Sequence, residues 1–169
     1  MHLSILVLAG LAFLRVGALE AGDSPPKHST QEERKQIASE IHSLEANPLK
    51  PDTRQRRTAL FAWLMKSPDV HLEWCAGLLI DAPKPDKDLV GDLLIQAILS
   101  AGAFVIENPE REGDALLVSR AGAHGARQSY RAILKNQPAR ASAFFDGLVA
   151  QEAAGTLNEY IKPKLPDCQ

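Results

Sequence analysis

The chain has 169 residues, 45% of them hydrophobic and 24% charged, with 11 Gly and 11 Pro. That length fits one compact domain, and that composition excludes a disordered chain, a collagen and a multi-span membrane protein. Lys and Arg number 19 against 21 Asp and Glu, a net charge of -2, so bulk charge does not mark a nucleic-acid binder.

Leu3 to Leu14 is a run of Leu, Ile, Val, Ala and Phe broken only by Ser4 and Gly10, and Arg15 interrupts it. The run is shorter than the roughly 20 residues a bilayer helix needs. It suits the apolar centre of a secretory signal. Val16-Gly17-Ala18 places a small residue before a cut after Ala18, and Leu19-Glu20-Ala21 is a weaker second site. Two details oppose this reading: His2 is the one basic group ahead of the run, and Arg15 lies close to the cut. A buried first helix and a membrane-tethered N-terminus are the alternatives. The sequence therefore predicts a signal peptide over 1–18 and an exported protein, periplasmic or secreted. A flexible, Pro- and Ser-containing lead-in over 19–29 and one all-helical domain over 30–169 would follow.

Thr30 and Glu33 make a capping box, and Ile37, Ile41 and Leu44 then recur at helical spacing until Asn47-Pro48. Asp52 with Gln55 predicts a second box, before a helix with Ala59, Leu60, Trp63 and Leu64 inward. Ser67-Pro68 supplies an N-cap and an N1 proline for a third helix, with Val70, Trp74, Cys75, Leu78 and Leu79 inward. Asp81 to Asp86 carries two prolines and reads as a loop. The fourth helix, near Asp88 to Glu107, is almost wholly apolar. Asp88, Asp92, Gln96 and Ser100 form its narrow polar ribbon, so other helices surround it, and Leu94, Ile98, Ala101 and Val105 are its expected core. A fifth helix spans about Asp114 to Asn136. The last spans about Ala139 to Ile161, with Phe144, Phe145, Leu148, Val149, Leu157 and Tyr160 inward. It should kink at Gly155-Thr156, where Thr156 and Glu159 could cap a second segment.

No stretch alternates convincingly over strand length, and the apolar runs are rich in Leu and Ala. The fold class expected is all-α, a single-domain helical bundle or irregular helical array of about six helices. Ala126, Tyr130, Ile133, Leu134 and Pro138 fit half of a tetratricopeptide pattern. Its first-helix half is missing and the prolines have no fixed period, so no repeat array is assigned. Gly91, Gly102, Gly122, Gly125, Gly147 and Gly155 fall inside helical stretches, where glycine is unfavourable; the run Ala121 to Ala126 is the densest, and close approach of a neighbouring helix is the expected reason there.

Cys75 and Cys168 are the only cysteines, and in an exported chain a pair most often bridges. A bridge would staple the C-terminal tail to the third helix. His71 and Cys75 have i,i+4 metal-pair spacing, and His71-Leu72-Glu73 echoes the zinc deaminases, whose partner Cys-x-x-Cys is absent here. No phosphate-binding loop or nucleophile motif occurs. The sequence thus nominates no catalytic residue, no metal ligand and no cofactor.

Charge placement is the sharpest anomaly. From Ala115 to Phe145 there is no acid, yet Arg120, Arg127, Arg131, Lys135 and Arg140 occur. Arg120, His124, Arg127, Arg131 and Lys135 fall within about 80° on a helical wheel. A solvated face, or one neutralised by acids of neighbouring helices, is the plain explanation; an anion- or partner-binding face is the functional one. The function expected is an exported, non-enzymatic binding or interaction protein engaging an acidic protein or anionic envelope component through this face. The alternative is a small secreted hydrolase whose site is assembled from distant residues.

Overall fold

A computed structural model describes residues 28–75, 77–80 and 87–168. The expected signal peptide, and all of the lead-in except His28 and Ser29, lie outside these residues. The described residues form seven α-helices and no strand: α1 (Gln31–Ala46), α2 (Thr53–Lys66), α3 (Gly77–Ile80), α4 (Lys87–Glu107), α5 (Ala115–Asn136), α6 (Ala143–Ala153) and α7 (Leu157–Ile161). Short 3-10 turns follow α4 and α5, and another, Lys162–Cys168, is the last described element. The fold is all-α, as expected.

The predicted capping box of α1 is present in both directions, Thr30 with Glu33. Just ahead of it, Asp69 accepts hydrogen bonds from the Ser29 amide and hydroxyl at 2.6 and 2.7 Å and lies 2.6 Å from the His28 ring. The His28 and Ser29 hydrogen bonds hold the Asp69 carboxyl well below the usual carboxylate range. The box expected at Asp52 does not form. Asp52 does precede α2 but has φ -88° and ψ -4°, not the extended geometry that turns an N-cap side chain onto the amides. Its carboxylate lies instead 3.9 Å from Arg56.

The helix expected after Ser67-Pro68 is absent. Residues 70–75 are non-helical, and only Gly77–Ile80 makes a helical turn. The side chains explain this: His71 and Glu73 are exposed while Val70, Leu72 and Trp74 pack on the core. That is a period of two, and an extended strap buries it where a helix would not. The expected burial of Val70, Cys75, Leu78 and Leu79 nevertheless holds.

α4 is the hub, packed by α1, α2 and α5. Its segment Leu89–Glu107 is long and apolar enough to cross a membrane by composition alone, but much of it is spent on this packing. Leu89, Leu93 and Ala97 join a cluster with α5 to α7; Leu99, Ala101, Ala103 and Val105 join one with α1, α2 and the strap. Ala101 and Val105 are buried as expected, but Leu94 and Ile98 are only partly so. They stand opposite Gln96 on the helix, and it is Gln96 and Ser100 of the polar ribbon that face the protein body. Gln96 and Ser100 are 0% and 4% exposed. Such groups belong in a core only when hydrogen-bonded. Arg57, itself buried, donates its Nε–H to Gln96 Oε1 at 3.0 Å. Gln96 in turn donates to Ser100 Oγ at 3.3 Å.

Two glycines of α5 permit its close approach to α4. A Cβ at Gly122 would lie 2.1 Å from the Trp74 ring and 2.8 Å from the Ala97 carbonyl oxygen. One at Gly125 would lie 1.9 Å from Ser100 Oγ. Beyond α5, the predicted last helix is broken in three. Pro138–Arg140 forms a turn, and α6 stops at Ala154 with Gly155 at φ 74°. The Gly155 and Thr156 amides bond back to the Glu152 and Gln151 carbonyls at 3.0 and 2.9 Å, the double bond of a Schellman stop. Thr156 precedes α7 without capping it; its hydroxyl donates to Gln151 O at 3.2 Å.

Gly→Ala substitutions should separate packing from helix propensity. At Gly91 a Cβ meets nothing within 4 Å, so Gly91→Ala should stabilise by up to about 1 kcal/mol. Gly125→Ala should instead destabilise by about 1–3 kcal/mol through overpacking. Denaturant melts of the two variants test the contrast.

Candidate functional site

α1, α4, α5 and the α6–α7 corner enclose a cleft of about 410 Å³, within the usual size range of small-ligand sites. Its ionisable lining is His42 and Glu45 from α1, Glu107 from α4, Arg120 and His124 from α5, and Glu152 from α6. Phe104, Leu117 and Leu157 supply apolar surface.

One side of the cleft is a chain of hydrogen bonds leading out of the core. The Ser100 hydroxyl donates to Glu45 Oε1 at 2.6 Å. Glu45 Oε2 lies 3.1 Å from His42 Nδ1, and His42 Nε2 lies 3.0 Å from Glu107 Oε1. With a carboxylate on each ring nitrogen, His42 is best satisfied as the imidazolium, which has two N–H donors. Burial pulls its pKa down, but the hydrogen bonds and charges of Glu45 and Glu107 outweigh that and raise it above 6.5. The other side is built on Glu152, which takes the His124 Nδ1–H at 2.6 Å and pairs with Arg127 Nε. Arg127 Nη2 is also 3.2 Å from His124 Nδ1. One nitrogen cannot donate to Glu152 and accept from Arg127 together, so the shorter contact is the hydrogen bond. Burial first, then the charges of Arg127, Arg120 and His42, lower the His124 pKa below 6.5 against an opposing pull from Glu45. Burial and the Arg131 charge also lower that of Arg127, which stays protonated regardless.

The predicted basic stripe is therefore split. Arg120 and His124 line the cleft. Arg127 does not stand free as expected: its side chain is 13% exposed and held by Glu152. Arg131 and Lys135 are exposed at the far end of α5, with no carboxylate within 4.0 Å among the described residues. α6 runs back beside α5, with Asp146 at Tyr130 and Glu152 at His124 and Arg127, and that return brings Glu152 onto the stripe.

His71 and Cys75 are not on a helix. His71 stays exposed, 3.8 Å from Glu112, while Cys75 is 2% exposed. The described residues contain no group of three His, Cys, Asp or Glu placed to hold a metal. Cys75 Sγ lies 3.6 Å from the Lys164 carbonyl oxygen, so the C-terminal turn returns to the strap. The Cys168 side chain lies outside what the structure describes.

His42, Glu45, Ser100 and Glu107 were not marked as a site by sequence, because their elements meet only in the fold. The one local signal is His42 and Glu45 at i,i+3, a pair that shares a helix face. Chemically, the cleft holds charged groups of both signs, and a neutral His124 on Glu152 can accept a proton at Nε2. Ser100, the one hydroxyl among the described lining residues, is buried and spends its proton on Glu45, so it is not free to act as a nucleophile toward that base. Family models, curated proteins and solved structures yield no match to the chain.

The two imidazoles should titrate on opposite sides of 6.5 in NMR, His42 above and His124 below. A raised folded pKa contributes stability below 6.5 that is lost as pH rises through it; a lowered one contributes stability above 6.5 that is lost as pH falls through it. His42→Gln should therefore be more damaging in acid than in base, and His124→Gln the reverse.

Proposed function

We propose that this is an exported helical binding protein that engages an anionic partner through the C-terminal half of α5. The observation that carries this reading is the exposure of Arg131 and Lys135, with no carboxylate within 4.0 Å among the described residues. An exposed face of one sign forgoes the i,i+4 pairs that would support its helix and attracts acidic surfaces over a Debye length. Retention on immobilised poly-L-glutamate tests it. The wild-type protein should bind at low salt and elute steeply as salt rises. Arg131→Glu with Lys135→Glu should abolish retention while the circular dichroism melt stays unchanged. Equal retention of both proteins would contradict the reading.

The proposal includes cleavage after Ala18 and a Cys75–Cys168 bridge. Support for the bridge is the return of the Lys162–Cys168 turn to α3 and the strap, since a bridge closing a long loop contributes a few kcal/mol. Non-reducing intact-mass measurement of the protein from its host should give a chain beginning at Leu19 that gains two hydrogens on reduction. A retained Met1, or a mass unchanged by reduction, would count against the corresponding part.

A hydrolase is the second reading, favoured by the Glu152–His124 pair at the cleft, where a carboxylate-held neutral histidine is a usable general base.

A further inference from the structure

We propose that the cleft between α1, α4, α5 and the α6–α7 corner binds a small α-amino-acid zwitterion with an apolar side chain. This goes beyond the partner face on α5 and uses different residues.

The first observation is a pair of opposite charges left apart. Arg120 and Glu107 line the same cleft, are both exposed, and come no closer than 4.0 Å to each other, since no ion pair forms between them. Arg120 has no carboxylate within that distance among the described residues. Glu107 uses Oε1 on His42, which leaves Oε2 able to accept. The remaining charges of the lining are committed: Glu45 to Ser100 and His42, and Glu152 to His124 and Arg127. A guanidinium is a two-pronged donor that matches a carboxylate, and a carboxylate oxygen suits an ammonium. A molecule carrying both groups can occupy the gap and complete each.

The second observation is charge balance. Glu45, Glu107 and Glu152 stand against Arg120, a protonated His42 and the adjoining Arg127. A zwitterion adds no net charge to this balance, whereas a phosphate dianion would face three carboxylates with Arg120 alone unpaired among the described cations of the lining. The third is the apolar lining. Phe104, Leu117 and Leu157 border the cleft beside these charges and give an aliphatic side chain a surface to cover. Rigid support is also present: Arg57 holds Gln96, Gln96 donates to Ser100, and Ser100 donates to Glu45, so the wall is formed before any ligand arrives.

Titration of the full protein with L-leucine, followed by amide chemical shifts and calorimetry, tests this. The expected result is saturable binding in the millimolar range or tighter, with shifts centred on residues of the cleft. L-leucinamide, which lacks the carboxylate, and 4-methylpentanoate, which lacks the ammonium, should each bind at least about tenfold more weakly. Arg120→Gln, at an exposed position, should lose at least about tenfold in affinity for L-leucine with an unchanged melting curve. Arg131→Glu with Lys135→Glu should leave leucine binding intact, so that failure here and failure of the partner face are told apart. No saturable binding of L-leucine, equal binding of all three probes, or full affinity in Arg120→Gln would each overturn the proposal.

Discussion

The approach of α5 to α4 at Gly125 is the constraint on which the rest of the structure depends. Without a side chain there, Ser100 Oγ can occupy the space between the two helices and reach Glu45 on α1. A Cβ at that point would also come within 2.8 Å of Glu45 Oε1. The backbone spacing of two helices thereby sets the position of a carboxylate on a third. From Glu45 the order passes to His42 and then to Glu107 near the end of α4. Ser129, one turn beyond Gly125, adds a hydroxyl 3.4 Å from the Glu45 carbonyl oxygen. Close packing and charge placement are thus one feature.

Burying this polar chain is expensive unless every member is satisfied. Gln96, Ser100 and Glu45 meet that condition through one another, but Arg57 does so only in part. Its Nη2 is buried with no hydrogen-bond partner among the described residues, and desolvation lowers its pKa against the opposing charge of Asp92. An apolar core of the same volume would be at least as stable on general grounds. The chain is better understood as positioning: it fixes the Glu45 wall of the cleft and holds α1, α2 and α4 in register.

Much of the architecture was legible in the sequence. Thr30 with Glu33, Asn47-Pro48, Asp114 and Gln137-Pro138 mark helix ends through local chemistry that tertiary contacts did not override. The strap was not legible as a strap, because Ser67-Pro68 carries a start signal for a helix whose following residues alternate with period two. Val70, Leu72 and Trp74 against His71 and Glu73 held that information. Nor does the pattern of α4 reveal which side faces inward: a helix apolar almost all round has no solvent face to exclude, and Gln96 and Ser100 turned to the protein body because Arg57 and Glu45 await them there. The site divides in the same way. Charge counting found Arg120 and His124 but could not see Glu152, which reaches α5 only after the chain has turned twice, at Pro138 and again into α6. His42 and Glu107 are 65 positions apart, and no local pattern joins them.

The central claim is that backbone proximity at Gly125 fixes Ser100 and, through it, the cleft. A double-mutant cycle of Gly125→Ala and Ser100→Gly measures this most directly, by equilibrium unfolding of the two single variants and the pair. Moving the side chain from one helix to the other relieves much of the clash that Gly125→Ala creates. The pair should therefore be less destabilised than the sum of its members, by about 0.5–3 kcal/mol, the range for residues in direct contact. Additive losses would mean that the two positions do not share that space, and the account of the cleft built on their contact would be contradicted.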